Sequence, residues 1–566
     1  MSQTPWRPGS VISFSSRWPA LDQKRTNQNK RGIKASQMLV PIFFLFVFAS
    51  LLSLTFFPLG LGFLSFVALV PFFKAILHDA VPGSEGRWDA LRRGFFLGWL
   101  GGVIFFGITF YWIPLLPSEN VTVPFIMFPA YLVMVAYLAL YLGVFGALLR
   151  LTYVQVTRKV VLLAPFLWLL VELLRARGAL GFPWASLGYS LWQYPTLIQL
   201  ASLGSVYAIS LAIVVVNALL YDGIVGKLKF VIAIPFVAAI LGVMLLFGHA
   251  VTHANPAARE LTVGLVQPNM ASGVKWDPRF RKHNLDVLLE LTEKLASQNT
   301  DLIIWPETAA PFHIRYEPEY MSLLTRTVDR LGVPLLLGFP DAIPEENGAL
   351  VYYNSAGLML PGLGIVKKYD KIHLVPFGER IPYDDVLRFL KKVDFGQANF
   401  GIGKDNTVFR LNDEKFSVLI CFESIFPELV RSFKVEGANF LVNITNDEWF
   451  GRSAAPYQHA YMAVFRAVEN RASVARCANT GISMLIDPWG RVTLRSGLFT
   501  REVLAGKIKL VSAETFFTRH GFLLLWPFVG VGVLESLLAL ARGGKVTKAS
   551  QKDPFRKGMG RKETGN

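Results

Sequence analysis

The sequence predicts an α-helical polytopic membrane bundle of eight helices with one α/β domain inserted before the last helix. The composition supports this class, because 52% of the 566 residues are hydrophobic and only 17% are charged, against about 25% charged residues in soluble domains. The apolar residues also cluster in eight stretches, and one long block between the seventh and the eighth has ordinary globular composition. Such an apolar chain is not intrinsically disordered, and its two cysteines exclude a disulfide scaffold.

The eight apolar stretches reach or approach the roughly 20 residues that a helix needs to cross a bilayer. They lie near 38–58, 59–77, 94–116, 121–149, 160–175, 195–221, 229–248 and 518–541. We therefore predict five parts of the chain, which are a basic and disordered cytoplasmic tail, seven transmembrane helices, a catalytic domain, the eighth helix and a second basic tail. Their ranges are 1–36, 37–249, 250–515, 516–541 and 542–566.

The charges between these stretches predict the orientation. On one side, the two tails and the loops 74–93, 150–159 and 222–229 hold 24 lysines and arginines against 7 aspartates and glutamates, which accounts for the whole net charge of +17. The loops on the other side hold only Arg177, with Arg175 at a helix edge. Basic short loops stay in the cytoplasm, so both termini are expected there, and 250–515 is expected in the periplasm of a bacterial inner membrane. The basic balance thus indicates topology, and we expect no nucleic-acid partner.

Short β-rich runs alternate with amphipathic helical runs through the inserted block, a pattern typical of layered α/β domains. The predicted strands are Leu261–Gln267, Asp301–Trp305, Val333–Gly338, Val351–Leu358, Gly364–Tyr369, Phe416–Ile420, Asn439–Asn443, Ser483–Ile486 and Glu502–Ile508. The predicted helices are near 279–297, 317–331, 427–435 and 454–471. Cys477 is expected to be a buried free thiol in a further strand.

Three of these strands end in residues that could carry chemistry. The runs lead through Pro306 to Glu307, through Asp370 to Lys371, and directly to Cys421. Ligands gather at the carboxyl ends of strands in α/β sheets, and a thiol, a carboxylate and an ammonium could there act as nucleophile, general base and oxyanion partner. We expect the nearby ammonium and a following helix to lower the thiol pKa. Each residue alone also allows a simpler interpretation. Cys421 could be a small core residue, Lys371 a solvated lysine, and Glu307 a charge at a helix N-terminus.

The motifs around these residues resemble the nitrilase, or carbon–nitrogen hydrolase, superfamily. They are Trp305–Thr308, Tyr369–Lys371, Leu374–Glu379, Cys421–Glu423 and Asn443–Gly451. A nitrilase domain before the last of eight membrane helices resembles more specifically the bacterial apolipoprotein N-acyltransferases. Further matching pieces are Val266–Asn269, Lys275–Trp276, Gly181–Trp184 and Leu187–Tyr189.

This resemblance implies an αββα sandwich and a triad of Glu307 as base, Lys371 as oxyanion partner and Cys421 as nucleophile. It also implies a set of substrate-binding or supporting residues, namely Glu379, Glu423, Trp276, Trp449, Gln267 and Asn269. Trp276 and Trp449 could equally be core aromatics. Phe422 follows the nucleophile where many relatives have tyrosine.

The implied reaction passes a fatty acyl chain from a phospholipid, through a cysteine thioester, to the N-terminal amine of a diacylglyceryl-cysteine in an apolipoprotein. This is the final step of bacterial lipoprotein maturation. The expected partners are the phospholipid donor, the apolipoprotein acceptor and membrane lipids, and we expect a monomer. The sequence gives no reason to invoke a cofactor or a metal.

Two other functions remain open. The same triad would serve a membrane-tethered amidase that hydrolyses a small amide, although one anchoring helix would then suffice. A transporter with a substrate-binding periplasmic block would need ionisable residues near the middle of the bilayer, whereas the charges here lie at the ends of the apolar stretches.

Overall fold

A computed structural model describes residues 38–81, 85–116, 127–157, 159–254, 258–344, 348–384, 386 and 398–542. The two predicted tails, 1–36 and 542–566, lie outside these residues, apart from Arg542. The helices of the first half are α1 Met38–Leu54, α2 Ser65–Ile76, α3 Arg87–Thr109, α4 Met127–Gln155, α5 Ala164–Arg175, α6 Ala201–Ile224 and α7 Phe230–His253. Each of them falls within or overlaps one of the predicted apolar stretches.

Among the described residues, five helices are long and apolar enough to cross a membrane, by length and composition. These spans are Arg87–Leu115, Met127–Gln155, Leu197–Ile224, Phe230–His253 and Leu523–Ala541. The helices Met38–Leu54 and Gly62–Ile76 are apolar but shorter, and α5 has 12 residues. The membrane region is therefore confirmed, while the count of eight crossings stays a prediction.

The α/β domain begins directly after α7. Its helices are α8 Ser272–Lys275, α9 Arg281–Ala296, α10 Pro318–Leu331, α11 Pro427–Val435, α12 Ala455–Asn470 and α13 Phe516–His520, and α14 Trp526–Ala541 follows in the last apolar stretch. Its strands are β1 Ala258–Gln267, β2 Leu302–Ile304, β3 Leu335–Pro344, β4 Leu350–Leu360, β5 Gly364–Asp370, β6 Val408–Leu411, β7 Glu414–Ile420, β8 Phe440–Thr445, β9 Val474–Ala478, β10 Met484–Ile486, β11 Val492–Arg495 and β12 Glu502–Val511.

The strands form two six-stranded sheets. Their orders are β12-β1-β2-β3-β4-β5 and β11-β10-β9-β8-β7-β6. Strands β1 to β3 run parallel in the first sheet and β7 to β9 run parallel in the second, so the carboxyl ends of each set share an edge. The nine predicted strands and four predicted helices are confirmed, whereas β6 and β11 were not predicted.

The two sheets pack face to face between helices, which gives the αββα layers that the resemblance implied. Helix α9 packs on β12, β1 and β2, and α10 contacts β4. On the other side α11 contacts β7 and α12 contacts β9. Cys477 lies between the sheets as the predicted buried free thiol, and its Sγ is 3.2 Å from the carbonyl oxygens of both Val266 and Ile304.

The membrane helices and the α/β domain share a continuous packing surface. One cluster of contacting buried hydrophobic residues includes both Leu45 in α1 and Val474 in β9. Helix α12 packs directly on α6, and Trp184, in the segment between α5 and α6, donates from Nε1 to Oε1 of Gln458 in α12 at 3.0 Å. The side of the second sheet that α12 covers is therefore held against the membrane helices.

Candidate active site

Glu307 is placed by the carboxyl end of β2. Gly338 in β3 allows this approach, because a Cβ there would lie only 2.5 Å from the Pro306 carbonyl oxygen. The Glu307 side chain is buried, and its two oxygens accept hydrogen bonds from different elements. Oε1 accepts from Nδ2 of Asn354 at 2.7 Å, and Oε2 accepts from the backbone N–H of Asn446 at 2.8 Å. The carboxylate is thus fixed in one orientation.

Lys371 follows β5 and is 1% exposed. Its Nζ lies 2.9 Å from Oε1 of Glu379 and 3.6 Å from Oε1 of Glu307. Burial alone would lower the pKa of Lys371, but the two carboxylates outweigh burial and raise it above its usual range. The side chain is therefore an ammonium in the resting site, available to a developing oxyanion.

Cys421 directly follows β7 and begins a short 3₁₀ turn, Cys421–Ile425. Its φ of +53° lies in the left-handed region, an uncommon conformation for a residue other than glycine. Cys421 is only partly buried, whereas Glu307 and Lys371 are both buried.

The expected low pKa of the Cys421 thiol was wrong. Burial of the surrounding site raises this pKa, the Glu307 carboxylate raises it further, and Lys371 only partly opposes them. The turn after Cys421 has five residues, too short to act as the helix that the sequence suggested. The resting nucleophile is thus a neutral thiol that needs a base.

Glu423 joins the nucleophile turn to the Lys371 loop. Its buried carboxylate accepts from the backbone N–H groups of Ile420, Ile372 and His373 at 2.7, 2.7 and 3.0 Å. It also accepts from the Tyr369 hydroxyl at 2.6 Å. The four donors come from both sides of the site, so Glu423 fixes Cys421 relative to Lys371.

The two predicted tryptophans lie at the surface near the site. Trp276 is 44% exposed and Trp449 is 39% exposed, so neither is a core aromatic. Glu448, beside Trp449, accepts from the Ser272 hydroxyl at 2.7 Å and thereby joins the two tryptophan segments.

The residue before Trp276 lies below this surface, against Glu307. Nζ of Lys275 donates to the Glu307 carbonyl oxygen at 3.1 Å and to the Thr308 hydroxyl at 2.7 Å. Burial lowers the pKa of Lys275 to about 8. Lys275 therefore supports the backbone that carries the general-base candidate.

Gln267 and Asn269 support a loop instead of the triad. Nε2 of Gln267 donates to the carbonyl oxygens of Gly497 and Thr500 at 2.9 and 3.0 Å, and Nδ2 of Asn269 donates to the Phe499 carbonyl oxygen at 3.3 Å. Among the described residues, none of the hydrogen bonds of these two side chains involves Glu307, Lys371 or Cys421. Their side-chain amides hold the segment between β11 and β12.

Sequence reasoning missed Asn354, which connects two carboxylates. Its Nδ2 donates to Oε1 of Glu307 at 2.7 Å and to Oε1 of Glu379 at 3.1 Å. The one available signal was an amide side chain within the predicted strand Val351–Leu358. An amide here brings two acidic groups together around Lys371.

His459 was also missed as a neighbour of the nucleophile. Its Nε2 lies 3.2 Å from the Cys421 carbonyl oxygen and its Nδ1 lies 2.8 Å from Oδ1 of Asp447. Cys421, Asp447 and His459 offer ligand atoms within 4.8 Å of one another. However, Arg476 donates to Oδ2 of Asp447 at 2.7 Å, and this buried guanidinium makes the group a poor site for a cation.

Aromatic side chains connect the turn that begins at Cys421 with segments at one end of the membrane helices. The ring of Phe422 stacks with Phe182 at 6.2 Å, and Phe182 stacks with Trp184 at 5.8 Å. On the other side, Phe450 packs edge-on against Trp112 at 5.0 Å. An acyl chain bound near Cys421 would therefore meet apolar surface on the membrane side.

Two family models match this chain. The model described as apolipoprotein N-acyltransferase N-terminal domain matches residues 48–219, and the carbon-nitrogen hydrolase model matches residues 262–516. A protein of Geobacter metallireducens named apolipoprotein N-acyltransferase is 36% identical over 502 residues, which cover 87% of this chain and 94% of that protein. A protein of the same name from Chlorobaculum tepidum is 33% identical, over 68% of this chain and 78% of its own.

Proposed function

The chain belongs to the apolipoprotein N-acyltransferase family, and from this premise we propose how its own residues carry out N-acyl transfer. The relatives that match 87% and 68% of this chain carry that name, and the amidase interpretation loses support accordingly. The substrates follow from the same membership: a phospholipid donates the acyl chain, and a lipoprotein N-terminus accepts it.

In the first half-reaction, the Sγ of Cys421 attacks an ester carbonyl carbon of the phospholipid. Glu307 takes the thiol proton, and the ammonium of Lys371 stabilises the negative charge on the carbonyl oxygen. The C–O bond then breaks, and the proton passes from Glu307 to the leaving alkoxide oxygen, which becomes a hydroxyl group. A lysophospholipid departs, and the acyl group remains as a thioester on Cys421.

In the second half-reaction, the α-amine of a diacylglyceryl-cysteine attacks the thioester carbon. Glu307 takes a proton from the amine, Lys371 again holds the oxyanion, and the C–S bond breaks as the thiol regains its proton. Donor and acceptor thus use one site in turn, which is a ping-pong scheme.

The site faces the lipid phase that supplies both substrates. We place 250–515 on the periplasmic side of a bacterial inner membrane, because basic residues concentrate in the loops opposite to it. The aromatic contacts between Phe422, Phe182 and Trp184 connect the proposed nucleophile with one end of the membrane helices, and the charge pattern assigns that end to the periplasmic side.

One observation carries the proposal: a partly buried cysteine lies within electrostatic reach of a fixed carboxylate and a buried ammonium, in a domain packed onto membrane helices. A soluble amide would need no such surface. The raised pKa of the thiol supports the role of Glu307 as base, because proton removal must then accompany attack.

The experiment is intact-protein mass spectrometry of purified enzyme after incubation with phospholipid. We expect one fatty-acyl adduct on the wild type and on Cys477→Ser, and none on Cys421→Ala. Cys477 is the matched control, because it is the second free cysteine and is buried between the sheets. An adduct that persists in Cys421→Ala, or that disappears in Cys477→Ser, would overturn the assignment of the nucleophile.

A further inference from the structure

Helix α6 is broken near its first turn. Gly204 has φ −150° and ψ 32°, and Ser205 has φ +60° and ψ −169°, within a run that is otherwise helical from Ala201 to Ile224. A serine in this backbone region is strained, and such strain persists only where the surroundings enforce it. The break leaves the N–H of Val206 at the start of a new helical segment, without the carbonyl partner that a continuous helix would supply.

The α/β domain supplies the missing acceptor. Oε1 of Glu469, in α12, accepts from the Ser205 hydroxyl at 2.6 Å and from the Val206 N–H at 3.1 Å. Glu469 and Ser205 are both fully buried. A carboxylate of the catalytic domain therefore caps the second part of a membrane helix.

The cation beside Glu469 reaches the nucleophile turn. Arg466 lies one helical turn earlier, and its NH2 donates to Oε1 of Glu469 at 2.7 Å. Its NH1 donates to the carbonyl oxygens of Ile425 at 3.1 Å and Ser424 at 3.4 Å. These two residues end the turn that begins at Cys421.

A second contact comes from the segment between α5 and α6. The Tyr189 hydroxyl accepts from NH2 of Arg466 at 3.0 Å and lies 3.4 Å from the Ile425 carbonyl oxygen. The buried ion pair of Arg466 and Glu469 thus bonds to the broken helix α6, to the segment between α5 and α6, and to the turn that begins at Cys421.

Stability alone gives no reason for this arrangement. Removing two charges from water is costly, and well-packed apolar residues of similar volume often serve as well or better. Apolar side chains could not, however, fix carbonyl oxygens and a helix N–H at defined positions. The polar pair provides geometry that an apolar contact between α12 and α6 lacks.

We propose that Arg466 and Glu469 are positioning residues for acyl transfer, which fix the Cys421 turn relative to the break in α6. The inference rests on the proposed function, since it assigns a role in acylation of Cys421. Neither residue touches the substrate; they act through the backbone of Ser424 and Ile425. The membrane bundle thereby helps to set the direction from which Cys421 meets a lipid ester.

Two mild variants test the proposal without leaving a buried charge unpaired. Ser205→Ala removes one hydrogen bond to Glu469, and Tyr189→Phe removes one partner of Arg466. Ser210→Ala is the matched control, because Ser210 is an equally buried serine of α6 whose hydroxyl accepts from the Gly188 N–H at 2.9 Å. The measurements are the single-turnover rate of Cys421 acylation by phospholipid vesicles, the KM for that phospholipid, and Tm.

We expect Ser205→Ala and Tyr189→Phe each to slow acylation about 3- to 10-fold, the factor that an ordinary hydrogen bond is worth. The KM should stay within about twofold of wild type, and Tm should match that of Ser210→Ala. The double variant should lose less than the product of the two single losses, because both act on one network.

The outcomes separate this proposal from the proposed function. A wild-type enzyme that acylates Cys421, with both variants at the wild-type rate, would overturn the positioning role alone. If acylation is slower but Tm also falls below that of Ser210→Ala, the two residues have a structural role only. That result would also overturn the positioning role. A wild-type enzyme without any acyl adduct would contradict the proposed function, and the positioning role with it.

Discussion

Nζ of Lys371 lies 3.6 Å from Oε1 of Glu307, so the proposed oxyanion partner and the proposed base form an ion pair in the resting site. Besides burial, which is the largest cause, the Glu307 carboxylate raises the pKa of the Cys421 thiol, whereas Lys371 lowers it. Glu379 also contacts Lys371, with 2.9 Å between its Oε1 and Nζ. The proposed base, the proposed oxyanion partner and the proposed nucleophile are therefore together before any substrate arrives.

The charges around Cys421 predict opposite effects of two variants on its alkylation by iodoacetamide. The Glu307 anion disfavours the thiolate, so Glu307→Gln should lower the thiol pKa; Lys371→Met should raise it. We expect Cys421 to react about 10-fold faster at pH 8 in Glu307→Gln, because a thiol pKa that is lower by about 1 gives about ten times more thiolate. The rate should be slower than wild type in Lys371→Met, and Cys477→Ser serves as the background in all samples.

The same Glu307→Gln variant should lose acyl transfer by about 10²- to 10⁴-fold, because a positioned general base contributes that much. Faster alkylation together with slower acyl transfer would show that Glu307 raises the thiol pKa in the resting site and is still needed as a base during acyl transfer. Alkylation that slows in Glu307→Gln would show that this carboxylate does not oppose the thiolate.

Replacing the Glu423 carboxylate by an amide should damage both the site and the fold. Both of its oxygens accept from N–H groups, so either orientation of Gln points an NH₂ group at a donor. The unsatisfied donor should cost about 1–3 kcal/mol of unfolding free energy and should displace Cys421 from Lys371. Glu428→Gln is the control, because Glu428 is more than half exposed and its ion-pair distance to Arg177 is 3.7 Å. Thermal unfolding and acylation rate that are equal in both variants would contradict the role of Glu423.

Asn354→Ala should slow acyl transfer about 10- to 100-fold, the range for hydrogen bonds to charged groups. Its amide donates to both Glu307 and Glu379, and without it the two carboxylates repel each other around Lys371. Asn439→Ala is a suitable comparison, since Asn439 bonds to Glu414 at the opposite end of the second sheet. Steady-state kinetics of the two variants test this; equal activity would mean that Lys371 alone organises the carboxylates.

The convergence of the three proposed triad residues could be predicted because each of them follows a strand whose end is visible in the sequence. Glu307, Lys371 and Cys421 come after β2, β5 and β7, and strand ends of α/β folds meet at common edges. Asn354 could not be predicted in this way. It lies within β4, and its contact with Glu307 depends on the pairing of β4 with β3 and β5.

The charge state of the thiol was mispredicted for a different reason. The sequence gives the types of charges near Cys421 but not how deeply they are buried, and desolvation is the largest cause of the raised pKa. Arg466 and Glu469 show the same limit. Spaced three apart on a predicted helix, they indicate an ordinary surface ion pair, whereas both residues are fully buried.

The topology remains a prediction that a fusion experiment can check. Basic loops place both termini in the cytoplasm, so a reporter that is active only in the cytoplasm should stay silent when inserted between 340 and 350. The same reporter fused after residue 566 should be active. Activity at 340–350 would reverse the orientation and remove the catalytic domain from the periplasm.

The stoichiometry of lysophospholipid release tests the central claim most directly, because a transferase must keep water from its thioester until an amine arrives. Purified enzyme given phospholipid alone should release about one lysophospholipid per enzyme and little free fatty acid, and should retain the acyl group on Cys421. A diacylglyceryl peptide with a free N-terminal amine should then discharge the thioester and restore turnover, while the same peptide with a blocked amine should not. Steady release of fatty acid without any amine would contradict the account, since water would then be the natural acceptor and the chain a hydrolase.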